Sequence, residues 1–399
     1  MHALKIVHQL LTKNCTDIHK TRLAALMNVV ESLLYGQTLT VTGLGRASRR
    51  ATLMKHSIKQ SDRLIGNPHL THERRAIYQA LAILLLGAHR RPLILVDWSD
   101  YTYNRTHLIL RAAVPVGGRA LTLYEEVHPY RCYGNARIQH AFLKTLKSLI
   151  PDTHTPIIVT DAGFCGPWFR CVRKLGWDYI GRIRKSVFYR QDAGANWRKC
   201  EGLHAFATTR PRYVGEVALA RSNPMACHLY LYKKPRMGRC KKTVYGQPAL
   251  SKHSKKNAER ERTPWVLASS LGPEDKTAKQ IMRLYRTRMQ IEEGFRDIKN
   301  HRYGFALTDT RSYSDERLAN LLLVGMLATW VLWMLGKQAE HMQWHYQYQA
   351  NTQKHQRVLS LFYLGCLRFL QGQFRMTQSE YTLTIKLIRQ DMINQAYER

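Results

Sequence analysis

Two aspartates follow runs of apolar residues that have the composition of buried strands. Asp97 closes the segment LILVD, and Asp161 follows the run IIVT. A carboxylate at the end of a core strand is partly desolvated, and two such carboxylates raise each other's pKa unless a cation lies between them. Neighbouring strands would therefore give a divalent-metal site. The alternative is that each aspartate only caps the turn after its strand.

A third acidic residue lies in the segment LYRTRMQIEEGFRDIK, within a long helix that we expect from about residue 277 to 300. Tyr285, Arg288, Glu292 and Lys299 stand at offsets that place them within about 60° of one another on a continuous helix. Arg296 lies close to this polar stripe, which suits a site that holds metal ions and grips phosphates. The alternative is a solvated face in which Glu292 pairs with Arg288 or Arg296. The residues expected to be buried beside the stripe are Leu284, Ile291, Phe295 and Ile298.

The elements that must position these side chains alternate in type. LILVDWSD, HLILRAAVPV and ALTLYEEVH read as a buried strand followed by a hairpin with a Gly117–Gly118 turn. A helix (IQHAFLKTLKSLI), a strand (PIIVTDAG), a helix opening at Pro167 and a strand (DYIGRIR) follow. The order β-β-β-α-β-α-β predicts an α/β protein with an RNase H-like catalytic core, a mixed five-stranded sheet with helices.

The remaining chain predicts an insertion in this core and helical regions on both sides of it. Short strand candidates and a Lys/Arg-rich stretch from Lys233 to Arg262 indicate a β-rich basic insertion, and its loop reads as mobile. In the N-terminal part, short helices and a basic run could form a helix-turn-helix unit or a plain helical bundle. The predicted regions are 1–85 (helical), 86–185 (core, first part), 186–262 (insertion), 263–312 (core, second part) and 313–399 (helical).

The charge of the chain favours a polyanionic partner. The 399 residues include 62 Lys and Arg against 28 Asp and Glu, a formal net charge of +34. Such a surface attracts DNA or RNA through phosphate neutralisation, with little sequence selectivity. A generic basic surface or a protein bound to a membrane surface is the alternative that charge alone leaves open.

Cysteine spacing and hydropathy predict an intracellular protein that is not embedded in a membrane. The eight cysteines form no paired motif of the zinc-ribbon or redox type, so we expect reduced thiols. No signal peptide is expected after Met1. The apolar stretch Leu321–Leu335 is shorter than the roughly 20 residues that span a bilayer, which predicts a buried helix.

These residues together resemble the insertion-sequence transposases of the IS-four family. The motifs that carry the resemblance are VDWSD, TDAGF and the pattern Y-x-x-R-x-x-x-E-x-x-x-x-x-x-K, with TLTVTGLGR and ANTQKHQRVLS as flanking segments. The resemblance covers nearly the whole chain. It implies a triad of Asp97, Asp161 and Glu292 that binds two Mg²⁺ or Mn²⁺ ions for phosphoryl transfer.

The same resemblance implies roles for the neighbouring side chains. Tyr285, Arg288 and Lys299 would hold phosphates near the cleaved end. Arg296 is a further candidate only because it lies beside the polar stripe. Trp265 would stack on a flipped base, since an aromatic face offsets part of the cost of unstacking. A strand tryptophan is otherwise a core residue.

The family mechanism implied is cut-and-paste transposition by nicking, hairpin formation, hairpin opening and strand transfer. The expected partners are double-stranded DNA, as inverted-repeat ends and target, and a second copy of the chain in a synaptic homodimer. The resemblance implies that region 1–85 binds the DNA ends and that region 313–399 serves dimerisation or DNA contact. The expected location is the bacterial cytoplasm at the nucleoid. Two other hypotheses remain: a metal-dependent nuclease that cuts without joining, and a DNA-binding protein without catalysis.

Overall fold

The structure is a computed structural model that describes residues 2–101, 106–184, 186–235, 246–248, 250–252 and 263–397. The chain divides into two compact units. Unit 1 combines residues 1–154 with residues 289–399, and unit 2 is the continuous segment 155–288. Among the described residues, both units contain helices and strands, so the protein is a mixed α/β protein.

Unit 1 opens with five helices, and the helical prediction for the first 85 residues is confirmed at the level of secondary structure. Side-chain caps define several helix starts: the Asn67 side chain accepts the N–H of His69, and Pro68 occupies the first turn of its helix. Gly87, with φ +54°, ends the same helix. The five helices are α1 (Ala3–Asn14), α2 (Lys20–Gly36), α3 (Val41–Arg46), α4 (Met54–Ile65) and α5 (Pro68–Leu86).

Three strands of unit 1 pair antiparallel, and the first of them carries Asp97. They are β1 (Leu93–Asp100), β2 (His107–Val116) and β3 (Arg119–Pro129). Gly117 and Gly118 have φ values of +54° and +91°, which only glycine adopts at little cost, and they form the tight turn predicted between β2 and β3. β2 is buried along its whole length. Helix α6 (Ala136–Leu149) follows, capped by the Asn135 side chain.

The C-terminal part of unit 1 contains four helices, one of them long and apolar. They are α9 (Met289–Lys299), α10 (Asp315–His341), α11 (Leu361–Leu370) and α12 (Gln378–Tyr397). Helix α10 is long and apolar enough to cross a membrane, but 94% of its most apolar 18-residue stretch is buried inside the protein. The prediction of a buried helix over Leu321–Leu335 is therefore confirmed.

Glycines set the closeness of the contact between α10 and α11. A Cβ atom on Gly336 would lie 2.0 Å from the carbonyl oxygen of Leu361, and one on Gly365 would lie 2.0 Å from that of Leu332. Each helix therefore places a glycine against the backbone of the other, as close helix crossing requires.

In the part of unit 2 that the structure describes, a mixed sheet is accompanied by two helices. The strands are β4 (Ile157–Thr160), β5 (Asp178–Arg182), β6 (Phe188–Arg190), β7 (Arg198–Lys199), β8 (Arg212–Leu219), β9 (Met225–Tyr232) and β10 (Trp265–Ser269). Their order is β4-β5-β10-β9-β8-β6-β7, in which β4 and β5 are parallel and the other pairs are antiparallel. The helices are α7 (Gly166–Lys174) and α8 (Ala278–Arg286).

Most predicted elements are confirmed, including the order β-β-β-α-β-α-β and the strands of the insertion. One element is wrong. The single helix expected from about 277 to 300 is two helices, α8 and α9, separated by a turn at Thr287 and Arg288. Most of the Lys/Arg-rich stretch from Lys233 to Arg262 lies outside the described residues, and the five functional regions remain predictions.

Candidate active site

Asp97 lies on β1 with its side chain buried. The residue is 7% exposed, and its Oδ1 accepts the N–H of Trp98 at 2.9 Å. Its partner in the antiparallel register is Arg111 on β2, which is itself paired in register with Glu125 on β3. A basic residue thus separates two carboxylates across the three strands.

Arg111 anchors helix α9 on this sheet. Its Nε donates to Glu125 Oε2 at 2.8 Å, and both side chains are buried, so each charge has its opposite within hydrogen-bond distance. The guanidinium carbon lies 4.3 Å from the ring centroid of Phe295, on α9. The helix that carries the predicted glutamate therefore packs directly against the strands that carry Asp97.

Lys299, at the end of α9, reaches the strand of Asp97. Its Nζ donates to Ser99 Oγ at 2.7 Å, and Ser99 lies two residues after Asp97, hence on the same face of β1. Burial and the nearby Arg111 lower the pKa of Lys299 to about 8, while the carboxylates of Asp100 and Asp97 oppose this shift.

Glu292 occupies the same face of α9 as Lys299, because seven residues span almost two helical turns. It is exposed, whereas the adjacent Glu293 is half-buried and forms ion pairs with Arg119 and Arg296. In the structure Arg296 forms an ion pair with Glu293 at 2.8 Å. The sequence had suggested Glu292 as a partner of Arg296.

Asp161 belongs to unit 2, directly after β4. Its Oδ1 accepts the N–H of Gly163 at 2.7 Å, which fixes the turn that follows the strand. Arg184 donates from Nε to the carbonyl oxygen of Ala162 at 2.6 Å, so a cationic side chain holds the same turn.

Tyr285 and Arg288 share the surroundings of Asp161 within unit 2. Tyr285 is 3% exposed, and burial raises its pKa to about 12, with a smaller contribution of the same sign from Asp161. Arg288 and Arg182 oppose this rise in the pKa of Tyr285. Arg288 lies in the turn that precedes α9. The continuous polar stripe predicted from Tyr285 to Lys299 is wrong, because the turn at Thr287 and Arg288 interrupts it.

Trp265 begins β10 and is 7% exposed. Its ring lies edge-on to Tyr285, with centroids 5.0 Å apart, and Lys234 Nζ lies 4.8 Å from its centroid. In this conformation the indole is a core residue of unit 2, in contact with a residue predicted to grip phosphate.

The predicted site residues therefore form two neighbourhoods, each within one unit. Asp97, Glu292 and Lys299 belong to unit 1, and Asp161, Tyr285 and Arg288 to unit 2. Among the described residues, no group of three or more His, Cys, Asp or Glu side chains is placed to hold a metal ion. The donor type nevertheless fits Mg²⁺ or Mn²⁺, since carboxylate oxygens are the ligands these ions prefer.

Three polar residues of these neighbourhoods were missed from the sequence: Ser99, Arg111 and Arg182. Ser99 could have been found, because it stands two residues after Asp97 in VDWSD and so shares its face of the strand. The roles of Arg111 and Arg182 depend on strand register, which the local sequence does not specify.

Comparison with known families identifies the chain. A family model described as "Transposase DDE domain" matches residues 120–330, more than half of the 399 residues. The match includes Asp161 and Glu292, while Asp97 precedes it. A search of curated proteins found no match. A DDE domain of this kind indicates a metal-dependent polynucleotidyl transferase or endonuclease that acts on DNA in transposition and recombination. The chain belongs to the family of transposases with a DDE domain.

Proposed function

We propose that this transposase moves its element by cut-and-paste transposition, with Asp97, Asp161 and Glu292 as the catalytic carboxylates. Within the DDE transposases, the chain would belong to the IS-four family of insertion sequences, where it resembles the Tn-ten transposase. Its catalytic core would be RNase H-like. The observation that carries the proposal is the 2.7 Å hydrogen bond from Lys299 to Ser99, which joins the glutamate helix to the strand of Asp97.

The three carboxylates would hold two divalent ions, Mg²⁺ or Mn²⁺. When bound, such ions activate an attacking oxygen and stabilise the leaving oxygen of a phosphodiester. The chain supplies the groups around them: Asp97 is held by the Trp98 N–H and Asp161 by the Gly163 N–H, so each carboxylate is pre-oriented.

The cationic side chains of both neighbourhoods would bind the DNA backbone. Lys299 and Arg288 are the proposed phosphate ligands, and Arg296, which already pairs with Glu293, would assist. Tyr285 is buried, so its contribution would be to orient Arg288 through the hydrogen bond between their side chains.

The proposed partners are the inverted-repeat ends, target DNA and a second copy of the chain in a synaptic complex. The formal charge of +34 supports binding to two DNA segments in succession, because a basic surface neutralises phosphates without sequence selectivity. The basic insertion and the N-terminal helices would contact the ends, at the bacterial nucleoid.

The deciding experiment uses purified protein, Mg²⁺ and a supercoiled plasmid that carries the inverted repeats flanking this gene. Excision, hairpin ends and integration products are expected. Asp97→Asn, Asp161→Asn and Glu292→Gln should each abolish cleavage and retain binding to the ends. Glu293→Gln is the matched control, because Glu293 pairs with Arg119 and Arg296, and this variant should still cleave.

Two outcomes would change the proposal. Nicking without excision or joining would indicate the metal-dependent nuclease, and an active Glu292→Gln protein would remove Glu292 from the triad. Trp265→Ala tests the proposed base stacking: hairpin formation should decrease more than first-strand nicking. An equal decrease at both steps would assign the indole to the core, where it lies at 7% exposure.

A further inference from the structure

Two exposed tyrosine rings lie side by side in the turn that follows β3. Tyr130 and Tyr133 are 48% and 47% exposed, and their rings are inclined by only 14°, with centroids 6.4 Å apart. Aromatic rings contribute most when they are buried, so core packing does not explain a nearly parallel pair that faces solvent. The pair is a ready-made surface for a flat ligand.

The backbone holds this pair in place. The Tyr130 N–H donates to the carbonyl oxygen of Thr106 at 2.9 Å, and the Tyr133 N–H donates to that of Tyr130 at 3.0 Å. The Asn135 side chain then caps α6. A ligand that stacks here would bind rings whose backbone is already fixed, which lowers the entropic cost of binding.

Two arginines lie near the pair in the chain. Arg131 stands between the two tyrosines and Arg137 follows Tyr133 by four residues, both are exposed, and the sequence contains no Asp or Glu between His128 and Asp152. Flat rings flanked by guanidinium groups suit a nucleotide, whose base stacks and whose phosphate pairs with arginine. An aliphatic protein surface would not use these charges.

The pair also lies next to the strand of a proposed catalytic residue. The ring of Tyr133 contacts that of Trp98 edge-on, with centroids 6.0 Å apart, and Trp98 directly follows Asp97 on β1. Because side chains alternate along a strand, Trp98 and Tyr133 lie on the other side of β1 from Ser99 and Lys299. The tyrosine pair therefore contacts β1 one residue from Asp97, on the opposite face of the strand.

We propose that Tyr130 and Tyr133 bind an unpaired base of the DNA end beside the cleaved bond, as a stacking platform in unit 1. The inference rests on the proposed function, because it assigns the ligand to the end of a DNA substrate. It is separate from the role proposed for Trp265, which belongs to unit 2 and is buried.

The test measures binding in EDTA, so that no cleavage occurs. The probe is a duplex of the element's end with one unpaired terminal 2-aminopurine, and the reference is the same duplex fully paired. The wild type should quench the 2-aminopurine and prefer the unpaired duplex. The double variant Tyr130→Ala, Tyr133→Ala should lose about tenfold of this preference, the order expected for one stacked base.

Two further variants control the experiment. Tyr130→Phe with Tyr133→Phe keeps the rings and should restore the preference. Tyr313→Ala removes another tyrosine that is 62% exposed in unit 1 and should leave the preference unchanged.

An unchanged preference in the double alanine variant overturns the platform, as does an equal loss of affinity for both duplexes. A loss of self-association in sedimentation, with the preference intact, would instead assign the pair to a contact between copies and also overturn it. Metal-dependent cleavage is measured separately on the same proteins. A wild type that shows the preference without cleaving would count against the proposed function and not against the platform.

Discussion

Lys299 combines a proposed role in DNA binding with a cost in stability. It is half-buried, donates to Ser99, and has its pKa lowered to about 8, mainly by burial and then by Arg111. Because this value lies below the ordinary 10.5, the charged ammonium destabilises the fold at every pH below about 8. That destabilisation disappears as the pH rises through 10.5.

The first prediction follows from that balance. Lys299→Met removes the buried charge while keeping an unbranched side chain, so thermal stability at pH 7 should equal or exceed that of the wild type. DNA cleavage should nevertheless fall by about 10²- to 10³-fold, the usual range when one donor to the transition state is lost. Calorimetry and the plasmid assay measure the two effects. Lys299→Arg keeps the charge and should retain part of the activity, and a Lys299→Met protein with lower stability would contradict the prediction.

A second prediction concerns Asp297, on the buried side of α9. Burial raises its pKa from 3.8 to about 6, although Arg119 acts in the opposite direction. The protonated form is favoured in the fold, so the carboxyl stabilises fully below about pH 4, and this contribution is lost as the pH rises through 6. The melting temperature of the wild type minus that of Asp297→Asn should therefore fall between pH 4 and 6 and stay level above. A difference that is constant over this range would show that Asp297 keeps its ordinary pKa.

The sequence predicted residue burial well where local periodicity decides it. Leu284, Ile291, Phe295 and Ile298 are all buried, as their spacing indicated. It could not predict that Tyr285 is buried against Trp265, because the two are far apart in the chain and meet only through the sheet of unit 2. The hydroxyl group of Tyr285 and the charged residues near it in the sequence made it look like a surface residue.

At the scale of elements, the turn between α8 and α9 is the main departure from expectation. Neither glycine nor proline marks it. The Thr287 hydroxyl donates to the carbonyl oxygen of Leu284 at 2.7 Å, and the N–H groups of Thr287 and Arg288 bond three residues back. Such bonds tighten and end a helix, and they compete with helix continuation at a threonine. Threonine and arginine have helix propensities too close to those of the neighbouring residues for the sequence to reveal the turn.

The contact between α10 and α11 gives the third prediction. Gly336→Ala and Gly365→Ala each place a methyl group about 2.0 Å from a backbone carbonyl oxygen, which no side-chain rotation relieves. Each should lower the free energy of unfolding by at least about 1–3 kcal/mol, the cost typical of overpacking. Gly202→Ala is the control, because its Cβ would meet nothing within 4 Å. Urea unfolding curves measure all three, and wild-type stability in Gly336→Ala would show that the helices can separate without cost.

The whole molecule is dominated by its charge, which gives the fourth prediction. With a formal charge of +34, binding to non-specific duplex DNA should be strongly salt-dependent. If about 6–10 phosphates are neutralised, the affinity should fall by about 10³ to 10⁵ between 50 and 200 mM salt. Fluorescence anisotropy with a random-sequence duplex measures this slope. A weak dependence of the affinity on salt concentration would mean that most lysines and arginines make contacts within the protein instead of with DNA.

Charge and composition were readable without a structure, whereas the division into units was not. The predicted regions follow motif boundaries, but compactness divides the chain after His154 and after Arg288. The division places Asp161 in a different unit from Asp97 and Glu292. Packing between distant segments decides such a boundary, and local patterns do not record it.

This discontinuity also affects how the protein can be made. Unit 1 needs residues 289–399 to complete it, including the buried helix α10, yet the ribosome delivers the whole of unit 2 before them. The nascent N-terminal 154 residues must therefore wait, with apolar faces of α2, α5 and β3 uncovered, while 134 further residues are synthesised, residues 155 to 288 inclusive. At about 5–20 residues per second this interval lasts many seconds. A chain that stops early would expose those faces permanently, so a truncated copy of this gene should yield an aggregating product that chaperones and proteases remove.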